Sequence, residues 1–286
     1  MTLDSFFASH PAFALAFSGG TDSALLLAEA LRAHVDVLPL FARTPFVSQE
    51  EFQHAQKISQ TLGAPMSIID IELLADPEIC ANPPHRCYLC KTRIFSALMT
   101  VAHALGYPCL ADGTNASDDD SQRPGMRALR ELGVLSPLRE AGLSKLDIRT
   151  RAKSLGLDVW NRPSQTCLAT RIPSSDPITL EKLARIANAE NSLHSMGFDD
   201  IRVRLMGSSA RIQTTPSQWI AMAHRRDEIL KALTPWFEHV TLDLACRDET
   251  ELPTPHYPPP LSTKSHDETG SPSLALISGR PRTHVD

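Results

Sequence analysis

The sequence predicts an α/β fold, a parallel sheet flanked by helices, followed by a smaller C-terminal α+β domain. Three observations carry that expectation. Short apolar runs alternate with helix-like segments from the N-terminus to about Trp160, the pattern of a parallel sheet with helices on both faces. A second stretch, roughly Pro177 to Leu244, mixes helical and strand-like segments. From Asp248 onward Pro, Ser, Thr and Asp dominate without a sustained apolar period, a composition that does not offset its own ordering entropy. The expected organisation is therefore a first domain over 1–165, a smaller α+β domain over 166–247 and a disordered tail over 248–286.

Each element has a local reason. Phe13-Ala-Leu-Ala-Phe17 is an apolar run suited to a buried strand, and Ala24 to Arg32 follows as an Ala- and Leu-rich helix. Val35 to Phe41 is the next strand. Glu50 to Leu62 has helical composition and stops at Gly63, after which Met66 to Ile71 returns to strand chemistry. Arg93 to Leu105 repeats the helix and Pro108 to Ala111 the strand. In the second part, Leu180 to Met196 and Trp219 to Leu233 read as helices, while Ile201 to Leu205, Ala210 to Thr214 and Val240 to Leu244 read as strands.

Composition bounds the function classes. A chain of 286 residues with 42% hydrophobic residues can bury a substantial core. No apolar run approaches bilayer length, and Phe13 to Phe17 lacks a basic leader and cleavage signature, so a cytoplasmic protein without a membrane partner is expected. The formal charge of −5 argues against a broad nucleic-acid surface. Six cysteines in such a chain suit thiols, cluster ligands or catalytic groups better than a disulfide framework.

The strongest local signal is Ser18-Gly19-Gly20-Thr21-Asp22-Ser23, lying between an expected strand and an expected helix. Two glycines allow close approach of the backbone to an anion. Ser18, Thr21 and Ser23 offer hydroxyls, and the helix start offers free amides and a positive dipole end. The segment lacks the Gly-Lys-Ser/Thr ending of a Walker loop and its phosphate-reading lysine. Asp22 is suited to hold magnesium near the phosphates. In isolation such a hexapeptide is a Gly-rich turn with a capping Asp or Ser. At the end of the first strand of an α/β sheet, where ligand crevices form, it reads as a pyrophosphate cradle. Asp112-Gly113-Thr114-Asn115 follows another expected strand and lines the same crevice on this reading, though those residue types also make ordinary turns. Cys87-x-x-Cys90 is compatible with cluster or zinc ligands, a redox pair or unrelated thiols.

The hexapeptide resembles the signature of the PP-loop ATP pyrophosphatases, which have an adenine nucleotide alpha hydrolase-like fold and cleave ATP between its α- and β-phosphates to adenylate an oxygen. The resemblance extends to Asn82-Pro-Pro-His-Arg-Cys87-Tyr-Leu-Cys90-Lys91, Asp112-Gly-Thr-Asn115, Arg123-Pro-Gly125, Ser136-Pro-Leu138, Pro163-Ser164, Cys167-Leu-Ala-Thr-Arg171-Ile-Pro173 and Arg202-Val-Arg204. Together these resemble the LarE-type branch, over about Phe13 to Leu244. The resemblance implies an ATP-dependent sulfur transferase that converts carboxylates of pyridinium-3,5-biscarboxylic acid mononucleotide into thiocarboxylates, a step in building the nickel-pincer nucleotide cofactor. It also implies ATP and Mg as cofactors and a homo-oligomeric state.

On that resemblance Cys167 is the sulfur donor, with Arg171 four positions on favouring its thiolate. The thiolate displaces AMP to give an enzyme thioester, and breaking the Cβ–S bond releases a thiocarboxylate and leaves dehydroalanine. A second route makes Cys87, Cys90 and Cys167 ligands of a 4Fe-4S cluster that carries the transferred sulfide. Cys80, Cys109 and Cys246 read as packing residues. Arg123, Arg171, Glu190, Arg202 and Arg204 are candidates for holding substrate phosphate or pyrophosphate, by resemblance and because Arg offers paired donors. Two departures stand out: Ser174-Ser175 where the branch has Tyr-Gly, and Leu244-Ala-Cys-Arg247 where it has Gly-Tyr-Arg. Competing readings are a tRNA thiolase, which the acidic balance disfavours, an ammonia-dependent amide synthetase, and a non-catalytic nucleotide-binding or iron-sulfur carrier protein.

Overall fold

A computed structural model describes residues 1–118 and 124–247; Arg123 and the expected tail lie outside the described residues. The first region runs α1 (Leu3–Ser9), β1 (Ala12–Ala16), α2 (Thr21–Arg32), β2 (Asp36–Arg43), α3 (Gln49–Thr61), β3 (Ser67–Asp70), α4 (Pro77–Cys80), α5 (Arg86–Ala104), β4 (Leu110–Ala111), α6 (Pro124–Glu131), α7 (Pro137–Glu140) and α8 (Lys145–Ser154). Its four strands form one parallel sheet in the order β3-β2-β1-β4. β1 lies inside the sheet, which is why its sequence is apolar without alternation. Phe13 and Leu15 enter a core shared with α1, α2 and α8. Ala14 faces the other core, with Leu40, Leu98 and Leu110.

The second region contains α9 (Leu180–Ser195), β5 (Arg202–Met206), β6 (Ser209–Gln213), α10 (Pro216–His224), α11 (Arg226–Leu233) and β7 (His239–Leu242). β5 and β6 pair antiparallel and β6 and β7 parallel. Leu168, Ala169 and Ile172 pack into this region's core, and so does Cys90 of α5. The segment after Cys167 is thereby seated on the second core. Among the described residues no helix is long and apolar enough to cross a membrane.

Several elements differ from expectation, among them helices α4, α6, α7 and α8, which are additional. Helix α5 starts at Arg86 rather than Arg93, because Asn82, with φ of 56°, turns the chain and accepts a hydrogen bond from the Arg86 guanidinium. Both cysteines of the Cys-x-x-Cys pair are therefore helical. The single helix expected over Trp219 to Leu233 is broken at Arg225, whose guanidinium donates to the Met196 carbonyl at 2.6 Å. Helix α1 is additional, started by a capping box between Thr2 and Ser5.

Candidate active site

The hexapeptide spans the turn from β1 into α2. Gly20 caps the helix with no side-chain hydrogen bond, which leaves the first amides uncapped by any side chain. Gly19 has φ of 73°, and a Cβ there would stand 2.5 Å from the Ala55 Cα of α3. Only glycine satisfies both the conformation and the contact. Ser18 and Ser23 bring their Oγ atoms to 3.2 Å, and the Ser18 amide donates to Ser23 Oγ at 3.3 Å. Thr21 Oγ1 instead donates to the Val159 carbonyl at 2.7 Å, pinning the loop to a 3-10 turn over Asp158–Asn161.

Lys145, at the start of α8, donates to Asp22 Oδ2 at 2.5 Å, and its own amide donates to Ser117 Oγ at 3.0 Å. The other Asp22 oxygen, Oδ1, is buried without a hydrogen-bond partner. Buried polar atoms rarely stay unpaired, so this carboxylate fits a cation arriving with phosphate. Lys145 thus places a positive charge beside a hexapeptide that lacks the lysine of a Walker loop. It lies 123 positions away in the chain, and no local pattern signals it.

The loop Asp112–Asn115 abuts the same turn: a Cβ on Gly113 would stand 3.0 Å from the Ser23 amide nitrogen. Asp112 is buried and accepts from Thr114 and Ser136. Burial raises its pKa, against those hydrogen bonds and Lys91, which lower it. Asn115 is buried too, its Oδ1 accepting from the Ser117 amide at 2.9 Å.

A cavity of about 250 Å³ opens beside this turn. Phe17 and Ser18, Leu40 to Ala42 of β2, Glu51 of α3, Ile94, Phe95 and Leu98 of α5, and Gln165 to Cys167 line it. Its wall is mostly apolar and aromatic, with a few polar groups, the usual make-up of a small-molecule site. Ser18 of the phosphate-type turn and Cys167 thus face one cavity.

Cys167 is the first residue of a tightly held turn. A 3-10 turn covers Leu168–Arg171. Arg171, 2% exposed, forms a two-pronged ion pair with Glu190, at 2.9 and 3.2 Å, and its remaining nitrogen reaches the Thr166 and Cys167 carbonyls at 2.9 and 3.3 Å. Glu190 also accepts from the Val203 amide at 2.8 Å. Arg202 donates to the Ser164 carbonyl at 2.6 Å, and Arg204 to the Thr170 carbonyl at 3.0 Å. Burial lowers the Arg202 pKa to about 10. The arginines assigned by resemblance to substrate phosphate direct these donors to the backbone around Cys167. Arg123, the remaining candidate of that group, lies outside the described residues.

The expected help from Arg171 toward a thiolate is outweighed. Burial raises the Cys167 pKa, while Arg86 and, less strongly, Arg171 lower it. Cys90 is pushed to about 12, chiefly by burial. Cys87 is exposed, 3.7 Å from an Arg86 nitrogen. The three thiols are electrostatic neighbours. Among the described residues, however, no three His, Cys, Asp or Glu side chains form a metal-holding group. Arg86 also donates to the Ala169 carbonyl at 3.0 Å, and Asn82 Nδ2 to that of Pro173 at 2.7 Å. Ser175 occupies the position where the branch has Gly, in the left-handed region with φ of 67°. Arg247 is held by Asp200, to which it donates.

No protein-family model matches the chain. The chain is 36% identical over 252 residues to an uncharacterized protein of Synechocystis, covering 85% of this chain and 92% of that one. It is 33% identical over 235 residues to the pyridinium-3,5-bisthiocarboxylic acid mononucleotide synthase of Lactiplantibacillus plantarum, covering 80% and 84%. A tRNA-specific 2-thiouridylase of Paenarthrobacter aurescens matches at 29% over 189 residues, about half of each chain. With a parallel sheet, a glycine-rich β1–α2 turn and likeness to the synthase over 80% of its length, the chain belongs to the LarE-type ATP-dependent sulfur transferases of the PP-loop ATP pyrophosphatase superfamily.

Proposed function

We propose that this enzyme adenylates carboxylates of pyridinium-3,5-biscarboxylic acid mononucleotide and converts them to thiocarboxylates with sulfur from Cys167. The observation that carries this reading is the cavity that has Ser18 and Cys167 on its wall. ATP binds with its pyrophosphate on the Ser18–Ser23 turn and against Asp112–Asn115. Asp22 Oδ1, buried and unpartnered, is the atom that would hold Mg, which neutralises phosphate charge when bound. Lys145 exchanges its pairing with Asp22 for the departing pyrophosphate.

Adenylation turns a poor leaving group into AMP, and the Cys167 sulfur then displaces it as a thioester. Burial raises the pKa of this thiol, so its proton passes to the departing AMP phosphate as the sulfur attacks, which suits a nucleophile shielded from side reactions. Arg171, Glu190, Arg202 and Arg204 hold the Cys167 turn on this reading, and the substrate phosphate remains a role for Arg204 and Arg123. The second domain then begins at about residue 166, at the cysteine segment itself. A cytoplasmic, homo-oligomeric enzyme completes the proposal. In the cluster route Cys87, Cys90 and Cys167, electrostatic neighbours, would be the ligands, although among the described residues they form no metal-holding group.

Three outcomes test the reading. With ATP, Mg and the biscarboxylated mononucleotide, the intact mass of the chain should fall by the elements of hydrogen sulfide at Cys167, with AMP, pyrophosphate and thiocarboxylate released. Cys167→Ala should form no thiocarboxylate; thiolated product from this variant would rule out Cys167 as the donor. Lys145→Met should raise the ATP concentration needed for half-maximal pyrophosphate release on the order of 10- to 100-fold, the worth of a charge-assisted hydrogen bond. An unchanged ATP dependence would mean that Lys145 serves only to neutralise Asp22.

A further inference from the structure

Releasing sulfur from Cys167 is chemically harder than attaching the substrate to it. The thioester sulfur leaves only if the Cα hydrogen of Cys167 is removed, and the backbone Cα–H of an ordinary residue is a very weak acid. The charge that develops on its removal is shared with the residue's own carbonyl oxygen as an enolate. Donors aimed at that oxygen therefore lower the barrier, in the way that an oxyanion hole does.

The Cys167 carbonyl carries three such donors. The Thr170 amide donates at 3.0 Å, as the 3-10 turn requires. Thr170 Oγ1 donates at 2.8 Å and Arg171 Nη1 at 3.3 Å. The same Arg171 nitrogen donates to Thr170 Oγ1 at 2.9 Å, which polarises the hydroxyl toward the carbonyl. The turn alone needs only the first of these bonds. The other two come from side chains: Arg171 is held by its buried pair with Glu190, and Thr170 Oγ1 accepts from the same guanidinium. Glu51 is the carboxylate on the wall of the cavity that Cys167 lines. Burial foremost raises its pKa, opposed by the Ser48 amide, Arg162 and Arg171, so its anion is a stronger base than a solvated carboxylate.

We infer that Thr170 and Arg171 form an enolate-stabilising hole on the Cys167 carbonyl, and that Glu51 receives the Cα proton, so that the turn promotes β-elimination of the thioester. This inference rests on the proposed Cys167 route. The carboxylate of Glu51 takes the Cα hydrogen, the freed electron pair becomes the Cα–Cβ double bond, and the Cβ–Sγ bond breaks. Sulfur departs on the substrate carbonyl carbon as a thiocarboxylate, and the chain retains dehydroalanine at position 167. No oxidant or reductant is consumed.

The test follows the full chain by intact mass during a single turnover with ATP, Mg and the biscarboxylated mononucleotide. In Thr170→Val the isosteric side chain keeps the turn and removes one donor. The thioester-bearing mass should persist, with its decay to dehydroalanine slowed on the order of 100-fold, as for loss of one oxyanion-hole donor. Thr170→Ser should restore the decay, and Glu51→Gln should also accumulate the thioester. In the unmutated enzyme, cysteine deuterated at Cα should impose a primary isotope effect on that decay. Decay of Thr170→Val at the unmutated rate, or absence of the isotope effect, overturns the inference. Thiocarboxylate release without dehydroalanine would also overturn it while leaving adenylation intact, whereas absence of pyrophosphate release would overturn the underlying reading.

Discussion

Replacing Gly19 with Ala is expected to slow ATP-dependent pyrophosphate release on the order of 100-fold and to destabilise the fold measurably. Two separate penalties act at this position. A non-glycine residue at φ of 73° costs about 1–2 kcal/mol. The added methyl also meets the Ala55 Cα at 2.5 Å and its Cβ at 2.7 Å. Those atoms belong to the body of α3 and cannot rotate away, so helix or loop must shift, at about 1–3 kcal/mol for a packed site. Displacing the turn by a fraction of an ångström moves the amides and hydroxyls that would hold the phosphates, and misplacement of about 1 Å can cost 10²-fold in rate. Gly63→Ala separates the two penalties. Gly63 has nearly the same φ, 74°, with nothing within 4 Å of the added carbon. It should lose stability by the conformational penalty alone and keep its pyrophosphate release. Equal unfolding midpoints in urea for the two variants, or normal release from Gly19→Ala, would refute the close-packed role of this turn.

That contrast also marks how far the site was legible in the sequence. The Gly-Gly pair after an apolar run announces a turn that approaches an anion, because the reason is local. The contact with Ala55, which makes Gly19 irreplaceable, arises from packing of α3 and leaves no local trace. The same holds for Lys145. Its place at the head of α8 can be anticipated from the Ser144–Asp147 capping box, but its pairing with Asp22 depends on the sheet bringing the two ends together. Strands β1 and β2 were readable because they are buried apolar runs. The start of α5 was not, since it depends on the turn at Asn82 and on the long-range bonds of Arg86. Among the arginines, the residue type was readable but the long-range partners were not: Arg171, Arg202 and Arg204, candidates for substrate phosphate by resemblance, each send one donor to a carbonyl within residues 164–170.

Arg171→Met provides the second large effect. It removes the counter-charge of Glu190, which is 6% exposed and would retain the Val203 amide as its remaining donor among those described above. Leaving one member of a buried pair uncompensated costs about 3–5 kcal/mol, a large share of the 5–15 kcal/mol typical of a whole domain. Chemical denaturation should reveal that loss directly. The double replacement Arg171→Met with Glu190→Leu removes both charges and should recover much of the stability, because the desolvation penalty disappears with them. Sulfur transfer should not recover. The Thr166 and Cys167 carbonyls would still lack the guanidinium that holds them, and the Cys167 turn would move relative to Ser18 across the cavity. If the double variant regained both stability and thiocarboxylate formation, Arg171 would be a packing element and its bonds to the cysteine turn would be incidental. A stable but inactive double variant instead separates the two tasks of one side chain: its charge is balanced by α9, and its remaining donors fix the position of the sulfur.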